Sequence, residues 1–324
     1  MPFAILFLLA VLTGCAGPIS SAPINVEKLT TGNTSIVRIT AEGQPFLTYN
    51  DKPTELPRPG IDPAFRRGGY IHPVVTPRGI AITDDYPTNH IHHHGIWFAW
   101  TNTRFENRKP DFWNMGSKKG TVEFVRNHRS STDGSKASFK TEHRYVDLLA
   151  PEPKTALTEF WEVTGYPARP NTTYRMFDLT STQHCATEEP LILPKYHYGG
   201  LGFRGHEQWN GVKSLRVLTS EGDTDRVKAN ETRARWCRLS GEVNKETVGI
   251  AILCHPKNFR APQPIRVHPK EPFFCYAPSQ LGDWSIEPGK PYISRYRFIV
   301  FDGELDATEI DRLWNEYAAE TRAR

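Results

Sequence analysis

Beyond Leu12 the sequence has no apolar run long enough to cross a bilayer, and the run before it, Pro2–Leu12, is too short to do so. A helical polytopic membrane protein is therefore excluded. Cysteine is scarce, five in 324 residues, and no Cys-x-x-Cys pair occurs, so no zinc knuckle is written here. Neither sign of charge dominates. Lys and Arg total 40 against 36 Asp and Glu, and the net +4 is spread along the chain. That is no electrostatic footprint for nucleic acid, and none is expected as a partner. A Gly-Lys-Ser/Thr phosphate loop is missing, as are internal repeats.

What the chain does have is turn chemistry and aromatic side chains. Its 26 prolines and 24 glycines disfavour a helix bundle, while 38% hydrophobic residues with 11% aromatics can fill a core. Strand-like runs bounded by turn residues recur at Ser35–Thr40, Pro45–Tyr49, Gly120–Asn127, Ala137–Val146, Ala156–Val163, Thr173–Thr182, Ser214–Leu218, Arg233–Leu239, Val248–Cys254 and Ile293–Phe301. Arg233–Leu239 and Val248–Cys254 flank a polar Gly-containing loop and read as a hairpin. In the run 155–165, Leu157, Glu159, Trp161 and Val163 share one face and Ala156, Thr158, Phe160 and Glu162 the other. That mixture predicts a strand touching both a core and a cleft, with Glu159 or Glu162 as a carboxylate for the cleft. One helix is expected, opened by Asp306-Ala-Thr-Glu309 and carrying Ile310, Leu313, Trp314 and Tyr317 at helical spacing. The fold expected is all-β: one large antiparallel β-sandwich, supersandwich-like, closed by a C-terminal helix.

The start of the chain is a separate object. Pro2–Leu12 has the length of a signal-peptide core and runs into Leu12-Thr13-Gly14-Cys15, which resembles a bacterial lipobox. Met1-Pro2-Phe3 departs from that pattern in carrying no Lys or Arg. The expected division is a signal peptide at 1–14, a small, Pro-containing tether at 15–30, and a single β-sandwich domain at 31–324. Cys15 is the expected lipidation site. It would anchor the protein by lipid alone in the cell envelope, facing the periplasm or the exterior. In that oxidising compartment Cys185, Cys237, Cys254 and Cys275 are either disulfides or buried thiols, and sequence does not choose.

The chemical signal is Asn89-His90-Ile91-His92-His93-His94-Gly95-Ile96-Trp97-Phe98-Ala99-Trp100, where four of the 12 histidines fall within five positions. If the segment is extended, His90, His92 and His94 share a face at about 6.6 Å spacing and His93 points away. That spacing is wide for ligands of one metal. The two functional readings are a proton-transfer or substrate site and a transition-metal site whose first ligands are His90, His92 and His93. The competing reading is a loop with satisfied ring nitrogens. No cofactor motif is present, and none is required by the first reading.

A second segment, Tyr196-His197-Tyr198-Gly199-Gly200-Leu201-Gly202-Phe203-Arg204, pairs stacking rings and donors with glycines that admit a close neighbour. A third is the strand-end loop His255-Pro256-Lys257-Asn258-Phe259-Arg260. Together with Tyr70-Ile71-His72-Pro73, Tyr296-Arg297-Phe298 and Asp302-Gly303, these segments resemble the PmoA family, a bacterial family of unknown biochemistry named after a methane oxygenase subunit. The resemblance runs from Ile36 to Tyr317. It implies a sandwich like that of galactose mutarotases and some polysaccharide lyases, in a bacterium handling complex carbohydrates. Within that motif His90, His92 and His93 match best.

The reading that follows is a carbohydrate-active protein whose partner is an oligosaccharide or other glycan. In it His92, His93 and His197 move protons and Arg204 holds a carboxylate or hydroxyls. His90, Trp97, Trp100, Tyr196, Tyr198, His255, Asn258 and Arg260 contact the sugar. The chemistry would be that of an epimerase, a lyase or a hydrolase, with a metal-dependent oxygenase or hydrolase and a non-catalytic glycan-binding lipoprotein as the alternatives.

Overall fold

The structure, a computed structural model, describes residues 23–32, 34–52 and 55–320. Cys15 and the apolar run before it lie outside the described residues. The chain forms two eight-stranded antiparallel sheets and a two-stranded ribbon. The first sheet is ordered Ile24–Thr31, Thr34–Ala41, Gln44–Asn50, Tyr70–Val74, Ile96–Ala99, Gly200–Arg204, Phe273–Tyr276, Ile265–Val267. The second runs Leu215–Thr219, Trp236–Val243, Glu246–Cys254, Tyr292–Asp302, Tyr174–Cys185, Lys154–Gly165, Ala137–Asp147, Gly120–Thr132. Leu191–Leu193 pairs with Trp284–Ile286 in the ribbon. Ile24–Thr31, which the sequence assigns largely to the tether, is thus an edge strand of the sandwich, paired along its whole length with Thr34–Ala41.

The two sheets differ in how their residues make strands. The second has long strands with period-two burial. In Lys154–Gly165, Leu157, Glu159, Trp161 and Val163 are buried, and Thr158, Phe160, Glu162 and Thr164 are half-buried. One continuous core between the sheets takes the buried set, with contacts such as Phe46 against Phe177 and Tyr49 against Trp161. Each large apolar side chain buried there contributes about 1.5–3 kcal/mol. The centre of the first sheet is different. Ile96–Ala99, Gly200–Arg204 and Phe273–Tyr276 are short and buried on both faces. These three strands carry the candidate site.

The core is not wholly apolar. Glu159 is fully buried and faces His143 (3.2 Å), Tyr145 (3.2 Å), Gln183 (2.9 Å) and the Ser181 hydroxyl, which donates to it at 2.5 Å. Gln183 in turn accepts from the Trp100 indole at 2.7 Å. This satisfied network explains a carboxylate on a core face. The expected cleft beside that strand is not there: Glu159 faces the core, and Glu162 pairs outward with Arg129 at 3.2 Å.

The helix Ala307–Glu320 lies on the outer face of the second sheet, with Ile310, Leu313 and Tyr317 buried in a smaller cluster. The side chain of Asp306 caps it by accepting from the Glu309 N–H at 2.8 Å. Glu309 does not reach back, because Arg312 and Tyr174 hold its carboxylate. A second, four-residue helix, Arg226–Ala229, was not expected; Asp225 caps it through Val227 and Lys228 N–H. Cys237, Cys254 and Cys275 are buried thiols and Cys185 is half-buried; none of the four is in a disulfide.

Candidate active site

The histidine segment is not extended. His90 N–H bonds Pro87 C=O at 3.2 Å and His93 N–H bonds His90 C=O at 2.9 Å, so two successive turns fold it. The loop is closed below by Tyr86 N–H to His93 C=O (3.1 Å) and Gly95 N–H to Asp84 C=O (2.8 Å). Gly95 has φ +33°, and a Cβ there would meet the Ile71 carbonyl at 2.1 Å, so only glycine allows the turn into the strand Ile96–Ala99. The turns change which rings meet. His90, His92 and His93 gather on one side. His94 turns into the core, where its Nδ1 sits 2.7 Å from Asp85 and its ring packs on Tyr70 and Tyr86.

These three rings line a cavity of about 220 Å³. The hairpin between Ile265–Val267 and Phe273–Tyr276 supplies Arg266, His268, Glu271 and Phe273, and His197 and Tyr198 complete the rim with Trp113 and Asn114. His93 is sandwiched, parallel to His90 at 4.9 Å and stacked on Phe273 at 4.7 Å. His92 stands perpendicular to His93 at 4.7 Å. Asn114 donates to the Tyr198 hydroxyl at 3.1 Å and to Asp111 at 2.8 Å, which fixes that wall. At the back, Glu271 Oε2 lies 2.8 Å from His90 Nδ1 and accepts from Arg204 Nη1 at 3.1 Å. The His90 and Glu271 atoms are close but not aligned as a hydrogen bond. His268 Nδ1 accepts the Glu271 N–H at 3.0 Å, so its proton is on Nε2.

The electrostatics keep the imidazoles neutral. Burial pushes His92 down to about 3, helped by the neighbouring His90, His94 and Arg204. Burial also holds His93 well below the ordinary value, with His92 and Arg204 adding to it. His90 is lowered by burial and Arg204, against an opposing pull from Glu271, and burial also lowers His268.

Several expected site residues belong elsewhere. Arg204 is fully buried behind the cavity, with donors to Glu271, Asn89 (2.9 Å) and Asn210 (3.2 Å), so it positions Glu271 and does not hold substrate. Trp97 and Trp100 are fully buried and unavailable to a sugar. Trp97 packs under His93 at 5.0 Å, and Gly202 makes room for it, since a Cβ there would meet the Trp97 and Trp113 rings at 2.8 and 2.9 Å. Tyr196 supports His197 and Tyr198 by ring contacts but does not line the cavity. The loop 255–260 does not line this cavity. His255 is buried edge-on to Tyr317, Asn258 bonds the Arg295 backbone, and Arg260 donates to the Pro278 and Gly282 carbonyls. Sequence reading missed Arg266, His268 and Glu271. His268-Pro269 just after Ile265-Arg266-Val267 was their one signal, a third His-Pro beside Tyr70–Pro73 and His255-Pro256. Nothing in the pattern pointed to Trp113 or Asn114.

Neutral imidazole is the form that binds metal. Among the described residues, however, no three His, Cys, Asp or Glu side chains are grouped to hold an ion. His90 and His93 lie parallel instead of converging, with 16° between their planes.

Residues 36–315 match the model of a family of unknown function, DUF6807. The chain belongs to that family. No comparison supports the PmoA name that the motifs suggest. No curated protein matches the chain. Among solved structures, the crystal structure of heparan sulfate lyase HepC from Pedobacter heparinus is similar at a TM-score of 0.39 and 9% identity. The match covers 89% of this chain and 36% of the lyase, so the chain spans about a third of that protein's length.

Proposed function

We propose that the histidine cavity is a proton-transfer site acting on a sugar ring, of epimerase or lyase type. The observation that carries this is the His90–Glu271–Arg204 array. Among the rings lining the cavity, His90 is the one with a carboxylate at ion-pair distance, and Glu271 offsets part of the lowering that burial imposes on it. His92, at about 3, holds a proton poorly and serves as a hydrogen-bonding group. This moves the base from His92, His93 and His197, the sequence expectation, to His90. In the step proposed, His90 takes a proton from a carbon next to a carboxylate or carbonyl and becomes an imidazolium beside Glu271. Arg266, anchored on Asn230 at 3.0 Å, offers charge to the electron-rich group that forms. Hydrolysis by a carboxylate pair is less well supported, because Glu271 is the one carboxylate among the lining residues.

The test reads proton abstraction directly, whatever the product. The protein is incubated with a panel of neutral and acidic oligosaccharides in D2O, and deuterium entry and unsaturated products are followed. His90→Ala and Glu271→Gln are expected to lower the rate at least tenfold, about 1.4 kcal/mol. His92→Ala should do so through binding, with the loss in KM. Sugars that bind without exchange or unsaturation would make the cavity a binding site only. Full activity in His90→Ala would remove His90 as the base.

We also propose that the protein is a lipoprotein of the bacterial envelope, on the strength of Leu12-Thr13-Gly14-Cys15. Cys15→Ser should abolish lipid labelling and leave unprocessed precursor. Normal maturation of that variant to a soluble protein would show an ordinary signal peptide.

A further inference from the structure

A second cavity, of about 440 Å³, lies among Phe259, Trp284, Ile286, Pro291, Tyr292 and Ile293 and shares no lining residue with the first. It has an aromatic floor with a ring that faces water. Phe259 is 40% exposed and packs on Trp284 at 4.9 Å. Trp284 packs on Tyr292 at 4.9 Å and reaches the buried Trp100 at 5.3 Å, so the rings are tied to the core. Arg260, pinned by two backbone carbonyls, sits 4.8 Å from the Phe259 ring centre and fixes it further. A large exposed ring held this rigidly loses little entropy when a ligand covers it.

The rim is cationic. Lys257, Lys290 and Arg295 surround the rings, against Glu287, which already accepts from the Ser285 hydroxyl. Among the described residues neither Lys290 nor Arg295 is in an ion pair.

We propose that this cavity is a second, non-catalytic binding site for an acidic oligosaccharide. A pyranose presents an apolar face of C–H groups to an aromatic ring, and its carboxylates would meet Lys290 and Arg295. The aromatic and cationic features define the site. The choice of a sugar as ligand rests on the activity proposed above. The ligand is held outside the histidine cavity, so the site raises the local concentration of a long substrate without touching the reacting atoms.

Binding is measured by calorimetry on the full chain at physiological salt, with oligogalacturonate and oligomannuronate as probes and maltohexaose as the neutral control. Phe259→Ala is expected to weaken acidic-oligomer binding at least tenfold with net charge unchanged. This separates the site from general attraction to a cationic protein. Lys290→Glu, at an exposed position outside the core, should weaken it as much. The same losses are expected in a His90→Ala background, whatever that variant does to turnover. Wild-type affinity in both Phe259→Ala and Lys290→Glu, equal binding of maltohexaose, or no binding of either acidic oligomer by folded protein would overturn the proposal.

Discussion

Replacing Arg204 by methionine is expected to destabilise the protein by about 3–5 kcal/mol, read from denaturant unfolding. The guanidinium is fully buried, and three of its donor contacts go to Glu271, Asn89 and Asn210. Removing it leaves a largely buried carboxylate without its hydrogen-bonded cation. Lysine is not a substitute, because one ammonium cannot span Glu271 and the two asparagine oxygens. The double variant Arg204→Met with Glu271→Met is expected to recover much of the loss, since removing both charges leaves neither unpaired. Catalysis should not recover. Arg204→Met should also raise the His90 pKa, because a cation that lowers it is gone while Glu271 remains. A protein that loses no stability, or whose His90 titration does not move, would show that Arg204 does not organise this site.

The second sheet was legible in the sequence because its strands are amphipathic. Ala137–Asp147 and Lys154–Gly165 bury alternate residues, and the sequence runs Ala137–Val146 and Ala156–Val163 fall inside them. The centre of the first sheet was not. Ile96–Ala99 is apolar throughout and Gly200–Arg204 is half glycine and aromatic, so neither has a period to read. That is also why Trp97 and Arg204, on strands buried on both faces, and Trp100, just past one, read as cleft residues: no alternation separates a wall from the core. The histidine cluster stands out in the sequence, but its internal geometry does not. Extended spacing puts His93 opposite to His90 and His92, whereas the turns at Pro87–His93 bring all three together and send His94 inward. Glu271 was out of reach because it meets His90 only through the pairing of Gly200–Arg204 with Phe273–Tyr276, which no local pattern encodes.

Acidification should destabilise the protein well above the carboxylate range. Burial holds His92 at about 3 and His255 at about 4 in the folded state, against about 6.5 in an unfolded chain. Because the folded pKa is the lower one, the unfolded chain binds more protons between the two values, and stability falls as pH drops through that window. It is fully present above about pH 7, and for these two groups the loss is complete only near pH 3–4. At pH 5 the difference from the unfolded value is about 1.5 units, which gives at most about 2 kcal/mol for each histidine. His93 and His94, both buried and lowered, act in the same direction. Asp84 and Asp178, whose carboxyls burial pushes up, act in the opposite sense, but from nearer the carboxylate range. Urea unfolding at pH 7 and pH 5 is therefore expected to differ by about 4 kcal/mol or more. A variant carrying His92→Asn and His255→Asn keeps side-chain acceptors and cannot titrate, so its difference should be about 4 kcal/mol smaller. Equal stability of the wild-type protein at the two pH values would mean that these imidazoles titrate in the folded protein as they do in the unfolded chain.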